Sequence, residues 1–484
     1  MRLLVVSTAK NTDAILEHLK REPDVEVALH IGHVTADIKA SALTRMNTRE
    51  GGRGHLMRDA RYTGAARALI ESPQVAREME MFADHLHRRA PMNSYKAHPL
   101  RSMQDYTDYF HILADAMAER LRSERIDHCL FFNVPHLGYD TVCYLVARTM
   151  GIPCTIVSQS LFPNRFWSMH EIAHMGGAAL GEGAEPWPIE KGSKPDLFYM
   201  AGIKQEREEG GRITAKGALQ LATFLVTQGR WRALNPAYVA RLVRHMNRVY
   251  GRLPKWRDPF ARFFHEDALA YFDHLAGYED NPVDLSGDYV YFPLQLQPEM
   301  TTSSLGGAYR DQALAIEHLS AILPEGARIL VKENPKQGSY MRGPLFWHRL
   351  RRIPNVEVLP SWADTHALTG GARFVAAITG TVGWEAVRQG VPALVFGKAW
   401  YRKLPGVVEW RDDLRWDDVA GLEWDHAALE RATGALVGRM HEGVVDRHYE
   451  RLVEGFDAEA SYPATAKVLA GLLRGERAVT FDRD

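Results

Sequence analysis

Two doubly wound α/β domains facing a cleft, with a helical middle segment between them, are the architecture this sequence predicts. Three observations carry the prediction. Short apolar runs alternate with amphipathic stretches in the first third of the chain, and the same alternation restarts at "SGDYVYFPLQ". The runs are continuously apolar, as in parallel strands covered by helices on both faces. Between the two series, residues 203–278 read as mainly helical.

Taken in order, "RLLVVST" reads as a strand and "NTDAILEHLKRE" as the helix after it. "VEVALHIG" is a second strand, and "HCLFFNV", "DTVCYLVARTMG" and "PCTIVSQ" form a strand–helix–strand unit. In that helix Val142, Leu145, Val146 and Thr149 recur at helical spacing. Residues 174–198, rich in Gly and Pro, read as a long loop. The second series has strands at "YVYFPLQ", "ARILVKE", "VEVLP", "FVAAIT" and "ALVFG", with the amphipathic helix "DQALAIEHLSAIL" between the first two. After Trp410 the chain returns to helix and closes on "ATAKVLAGLLRG". The expected domains are therefore 1–200, a basic helical segment 201–284, a second Rossmann-like domain 285–415, and C-terminal helices 416–484 packing back on the first domain.

Composition narrows the class. The chain has 484 residues, 46% hydrophobic and 25% charged, which fits a soluble protein of two or three domains. Cys129, Cys143 and Cys154 form no CxxC pair and read as reduced core residues of a cytoplasmic protein. The opening apolar run is too short for a signal peptide. No window approaches the roughly 18 apolar residues of a spanning helix. Net charge is -1, yet residues 210–262 hold eleven Lys or Arg and one acid, Asp258. Trp231, Tyr238, Tyr250, Trp256, Phe260, Phe263 and Phe264 lie in and beside that segment. Basic residues interleaved with aromatics can meet an anionic membrane surface; the plainer reading is an Arg-solvated helical face over a packed core.

In doubly wound sheets ligands bind beyond the carboxyl ends of the strands, so motifs at those ends are the candidate sites. In "TGTVGWEAVRQG" a strand ends near Ile378, Gly380 and Gly383 permit a close turn, and a helix begins about Val382 and stops at Gly390. Free N–H groups at a helix start, with the hydroxyls of Thr379 and Thr381, make an anion site suited to phosphate. Glu385, one turn in, can accept hydrogen bonds from a ribose. The alternative is a plain strand–helix turn with Thr as the cap. In "ARILVKENPKQ", Lys332 and Asn334 end a strand two residues apart and face one way; they can meet a phosphate or sit as surface residues before Pro335. In "YFPLQLQPEMTTSSLGG" the strand ends in Gln295, Gln297 and Glu299. Glu299 reads as a nucleophile or base, or as an acid favouring the next helix start. "FFNVPHLGYDTV" sets Asn133, His136 and Asp140 around a strand–helix turn, as an acid/base pair with acceptor ligands or as a helix cap with a packed His. "SQSLFPNRF" places Asn164 and Arg165 after the next strand. The sequence has no triphosphate P-loop and no dinucleotide GxGxxG after the first strand, and no DxD-type acidic pair stands out.

Taken together and in order, these stretches resemble the capsule polysaccharide biosynthesis family of bacterial glycosyltransferases, which includes the Kdo transferases that start capsule chains. The resemblance rests on Gln295 and Glu299, then "KENP", then "TGTVGWEAVRQGVPALVFGKAWY", and is best over about 285–410. It implies a GT-B architecture with the donor bound mostly to the second domain. It implies that Gln297, Lys332, Asn334, Thr379, Gly380, Thr381, Gly383 and Glu385 hold a nucleotide-sugar donor. Glu299 falls where the Kdo transferases carry a carboxylate nucleophile. Where the family usually has His before Pro, this chain has Asn334, which donates a hydrogen bond but carries no charge. The expectation is a metal-independent glycosyltransferase without a cofactor, using a nucleotide sugar as substrate and a glycan or glycolipid as acceptor. Glu299, Asp140 and His136 are its candidate catalytic residues, with Asn133, Asn164 and Arg165 on the acceptor side. Its expected place is the cytoplasm or the inner face of the inner membrane, with no nucleic-acid partner. A nucleotide-sugar epimerase of the same architecture and a non-catalytic glycan-binding or export accessory protein are the alternatives.

Overall fold

The apolar runs at the start of the chain become a parallel sheet whose strands show side chains to two cores. The computed structural model describes residues 1–7, 10–33, 35–40, 43, 61–73, 75–89, 102–181, 184–192, 219, 222–223, 234–250, 275–276, 283–337 and 342–483. Strand β1 (Arg2–Val6) lies between β2 (Glu26–Gly32) and β4 (His128–Phe131), parallel to both. β3 (Ile38–Lys39) extends one side and β5 (Cys154–Gln159) the other. Leu4 and Val6 face a core shared with α3 (Met103–Ser123) and α4 (Tyr139–Thr149). Leu3 and Val5 face a second core, against Ile15, Leu16 and Leu19 of α1 (Lys10–Leu19). This is the period of two expected of a strand buried on both sides. A further helix, α2 (Val75–Arg89), packs on α3.

After β5 the chain departs from the sequence reading. "SQSLFPNRF" is the turn of a hairpin: β6 (Arg165–Met169) runs back antiparallel to β5. Asn164, at φ 53, makes the turn in the left-handed region that Asn tolerates. Arg165 begins the return strand and pairs with Glu442 at 3.1 Å. The basic segment 210–262 lies largely outside the described residues; within it α5 (Pro236–Tyr250) is seen.

The second sheet is entirely parallel. It comprises β7 (Tyr289–Pro293), β8 (Arg328–Lys332), β9 (Val356–Leu359), β10 (Phe374–Ala377), β11 (Ala393–Val395) and β12 (Val407–Glu409), in the order β12-β11-β10-β7-β8-β9. Val290, Phe292, Ile329 and Val331 pack on Ile316 and Leu319 of α6 (Gln312–Ile322). Tyr291, Leu330 and Val375 pack on Ala386 of α7 (Thr381–Gln389). Both sheets wind outward in two directions from a central strand pair, so this is a two-domain Rossmann-like fold.

The chain then recrosses to the first domain. After α8 (His426–Arg439), β13 (His441–Glu442) joins the free edge of β6, and α9 (Ala458–Leu473) covers α1. Arg474 pairs with Glu22 at 2.7 Å and also with Asp24. Cys129, Cys143 and Cys154 are free thiols, all buried. Among the described residues no helix is long and apolar enough to cross a membrane.

His441 fastens this return, its Nε2 lying 2.7 Å from Ser168 Oγ in the interior. Burial is the main reason its pKa falls from 6.5 to about 4, with Arg477 adding repulsion. The unfolded chain therefore takes up a proton that the folded one refuses as pH falls from 6.5 to about 4. Stability is expected to decline across that window and to be at full strength above it. His441→Asn, which keeps a polar group but cannot titrate, should flatten this limb in denaturant unfolding measured as a function of pH.

Candidate functional site

The winding of the first sheet reverses between β1 and β4, and that of the second between β7 and β10. Loops leaving such strands open a crevice, and here they meet across a cavity of about 770 Å³. Its walls include Asn133 and His136 after β4, Gln295 and Glu299 after β7, Lys332 and Asn334 at the end of β8, and Thr379, Gly380, Thr381 and Glu385 after β10. Thus most residues singled out in the sequence converge on one space. Asp140, Asn164, Arg165, Gln297 and Gly383 do not line it.

The β10–α7 turn is shaped by Gln295. Gly380 is the cap residue of α7, at φ -68 and ψ 154, and contributes no side-chain acceptor. Thr379 is not the cap: its hydroxyl donates to Thr301 O at 2.5 Å and its N–H donates to Gln295 Oε1 at 3.2 Å. That second bond fixes which way the amide of Gln295 points. Its Nε2 is left buried without a hydrogen-bond partner, on a side chain only 8% exposed. A Cβ at position 380 would lie 2.0 Å from this Nε2, so glycine is required there. Thr381 and Val382, at the start of the helix, also face the cavity. An uncapped helix start beside an unpartnered amide NH2 is a cluster of donors awaiting an acceptor. Gly383 has a different use. A Cβ there would meet Tyr401 Oη at 2.3 Å, the hydroxyl that donates to Gly380 O, so this glycine lets α7 approach its neighbour rather than a ligand. Gly390, at φ 82, ends the helix.

The backbone of Gln295 is held as firmly as its side chain. Its N–H donates to Gln312 Oε1 at 2.9 Å, and its carbonyl accepts from Gln312 Nε2 at 3.0 Å and Arg342 Nη2 at 2.9 Å. Arg342 Nη1 also lies 2.6 Å from each carboxylate oxygen of Glu333, with both side chains 2% exposed. Gln297 serves the same frame: its N–H donates to Gln337 Oε1 at 3.0 Å and its Oε1 accepts from Gln312 Nε2 at 3.2 Å. It braces the loop behind the cavity wall, a correction to its expected place against a ligand.

Around this frame stand the charged groups. Lys332 is 8% exposed, and its Nζ donates to Thr365 Oγ1 at 2.6 Å and Ala363 O at 3.1 Å. Asn334 Oδ1 accepts from Lys336 N at 3.0 Å and shapes the loop after β8. Glu299 caps the short turn Met300–Ser304, with Oε2 accepting from Met300 N–H at 3.1 Å, and also lines the cavity. Glu385 is buried in the wall. Burial raises the hydroxyl pKa of Tyr291 and Tyr401, and the Glu385 charge adds to the rise in both.

On the first domain, Asn133 Oδ1 accepts from Val134 N–H at 2.8 Å and Ser158 Oγ at 2.9 Å, which leaves its NH2 for the cavity. His136 Nδ1 lies 2.7 Å from Val134 O and donates to it, so the lone pair of the neutral ring is on Nε2. Asp140 is the reason this loop is rigid. Buried, it accepts from the N–H groups of His136 at 2.9 Å, Leu137 at 2.7 Å and Thr141 at 2.7 Å. A carboxylate spent on three amides anchors a loop, so Asp140 acts as an anchor and not as a group at the cavity surface.

Residues not singled out also contribute. Trp167 stacks on Trp400 with centroids 5.4 Å apart, and both reach the cavity. Tyr449 arrives from the C-terminal crossover. Trp400 stood inside the quoted motif block; nothing local marked Trp167 or Tyr449. The two walls are tied by Ser304 Oγ donating to Pro135 O at 2.5 Å and by buried Arg402, whose Nε donates to Met175 O at 2.9 Å. Among the described residues no group of three or more His, Cys, Asp or Glu is placed to hold a metal.

Removing one member of a buried ion pair strands the other. Arg342→Met is therefore expected to cost about 3–5 kcal/mol of folding stability, read from chemical denaturation.

Residues 276–415 match the family model described as capsule polysaccharide biosynthesis protein. The match spans β7 to β12 and the cluster around Gln295, the same stretch over which the motif order resembles that family. No curated protein matches the chain by sequence. Among solved structures, the beta Kdo 2,7 transferase KpsC of Thermosulfurimonas dismutans is similar at 11% identity over 76% of this chain and 91% of its own, with a TM-score of 0.30. The UDP-GlcNAc 2-epimerase of Neisseria meningitidis bound to UDP-GlcNAc aligns at 12% identity over 98% of this chain and 100% of its own, with a TM-score of 0.23. MnaA of S. aureus with UDP aligns at 11% identity over 100% of this chain and 99% of its own, with a TM-score of 0.25.

Proposed function

We propose that this protein is a metal-independent, GT-B-type glycosyltransferase of capsule or surface polysaccharide synthesis. It moves a sugar from a nucleotide-activated donor to a glycan or glycolipid acceptor in the cleft between its domains. The observation that carries the reading is the buried, unpartnered NH2 of Gln295 beside the uncapped start of α7, at a cavity between two Rossmann-like sheets. The capsule family match over residues 276–415 supports it from an independent direction.

In this reading the first-turn amides of α7, the hydroxyl of Thr381 and the NH2 of Gln295 receive the donor phosphate. Lys332 adds positive charge at the same wall, and Glu385 accepts from the ribose. As the bond between the anomeric carbon and the phosphate oxygen breaks, the electron pair stays on the phosphate. Fixed donors stabilise that charge without reorganising, which is usually the largest catalytic term. Glu299 supports positive charge developing at the anomeric carbon. The acceptor hydroxyl forms the new bond to that carbon and gives its proton to His136 Nε2. Asn133, through its NH2, orients the acceptor. The reaction is assigned to the cytoplasm, at the inner surface of the membrane.

Two measurements test this. In thermal-shift screening against nucleotides and nucleotide sugars, a true donor at a hundred times its Kd is expected to stabilise the protein by about 2.7 kcal/mol. Gln295→Glu, which keeps the acceptor for Thr379 but sets an anion where the NH2 lies, should weaken that binding by about ten-fold or more, ~1.4 kcal/mol. No stabilisation by any nucleotide sugar would overturn the reading and favour an accessory role. Glu299→Gln should keep donor binding and lower transfer by about 10²- to 10⁴-fold. Unchanged transfer would remove Glu299 from the chemistry, and conversion of the donor to its epimer without an acceptor would assign the cleft to an epimerase.

A further inference from the structure

The proposed reaction makes no use of α5. Its sequence, PAYVARLVRHMNRVY, contains no Asp or Glu. None of its described side chains is buried, and it makes no extensive contact with any other described element. A helix of this length is marginal in water without a surface to lie against. Val239 and Val243 are i and i+4 and share one face, while Arg241 and Arg244 are i and i+3 and share another. Val243 is 47% exposed, and Leu234, just before the helix, is 72% exposed. The surrounding stretch 210–262 carries eleven Lys or Arg against Asp258 alone, in a chain whose net charge is -1. In sequence, an excess of positive charge thus flanks this helix on both sides.

An apolar stripe flanked by arginines and free of acids matches an anionic bilayer interface. The stripe enters the headgroup–acyl boundary, and the guanidinium groups meet lipid phosphates. A nucleic acid would meet the arginines but leave the stripe in water. We propose that α5 docks the protein on an anionic membrane surface, lying in the plane of the interface. This deepens the membrane placement proposed above by naming the element and the lipid charge it requires, and it does not depend on glycosyl transfer.

Vesicle sedimentation of the full chain tests it, with phosphatidylcholine alone and phosphatidylcholine mixed with phosphatidylglycerol. The chain is expected to sediment with the mixed vesicles and not with the neutral ones, and added salt should release it. Arg241→Gln and Arg244→Gln should each lower partitioning by about five-fold, equivalent to about 1 kcal/mol, and Val243→Asp should lower it further. Equal binding to both vesicle types, binding to neither, or binding unchanged in all three variants overturns the proposal. So does capture of a DNA duplex without capture of vesicles. The same variants, assayed for nucleotide-sugar thermal shift in vesicle-free buffer, should respond as the parent does. That readout shows they are folded and separates failure of membrane docking from failure of the donor site.

Discussion

The buried contact between Arg342 and Glu333, and the carbonyl of Gln295 that Arg342 also reaches, sets the geometry on which the cleft depends. Two charges removed from water gain little net stability over well-packed apolar residues. What this pair does gain is position. Glu333 follows β8, Gln295 follows β7, and Gln295 in turn holds Thr379 after β10. One guanidinium therefore registers the ends of three strands against one another. The start of α7 is aimed by contacts that begin two strands away.

The two walls of the cavity differ in chemistry although the sheets behind them share a winding order. The second domain presents donors and a buried lysine suited to negative charge, with the carboxylates of Glu299 and Glu385 beside them. The first presents an imidazole lone pair and the amides of Asn133 and Gln159, a surface suited to a hydroxyl. Aromatic rings, with Trp167 against Trp400, fill the seam where the walls join. The seam is therefore apolar, and a lower local dielectric strengthens electrostatic interactions beside it.

Much of this was legible in the chain. Every strand read as a continuous apolar run is present, because burial on both faces demands such runs. The strands that escaped notice, β3, β12 and β13, are two or three residues long and carry too few side chains to show a period. β6 differs: Pro163–Asn164 is a turn signal between two apolar runs, yet the sequence reading sets Asn164 and Arg165 at the carboxyl end of β5 with no return strand. Among site residues, Lys332 and Thr381 were legible because strand ends and helix starts are local. Asp140 has two readings in sequence, acid/base group or helix cap, and its bonds to the nearby amides of His136, Leu137 and Thr141 decide for the anchor. Gln297 and Gln295 look alike in sequence. Only the contacts with Gln337 and Gln312 tell the brace from the residue that faces the cavity.

The return of the chain to its own beginning carries a consequence for biosynthesis. β13 completes an edge of the first sheet, and α9 seals the core beneath β1. The residues that finish the N-terminal domain thus leave the ribosome only after the whole second domain. That domain must wait, with one apolar face uncovered, until α9 emerges, and a stop placed just after the second domain would leave the earlier half of the molecule as the incomplete one.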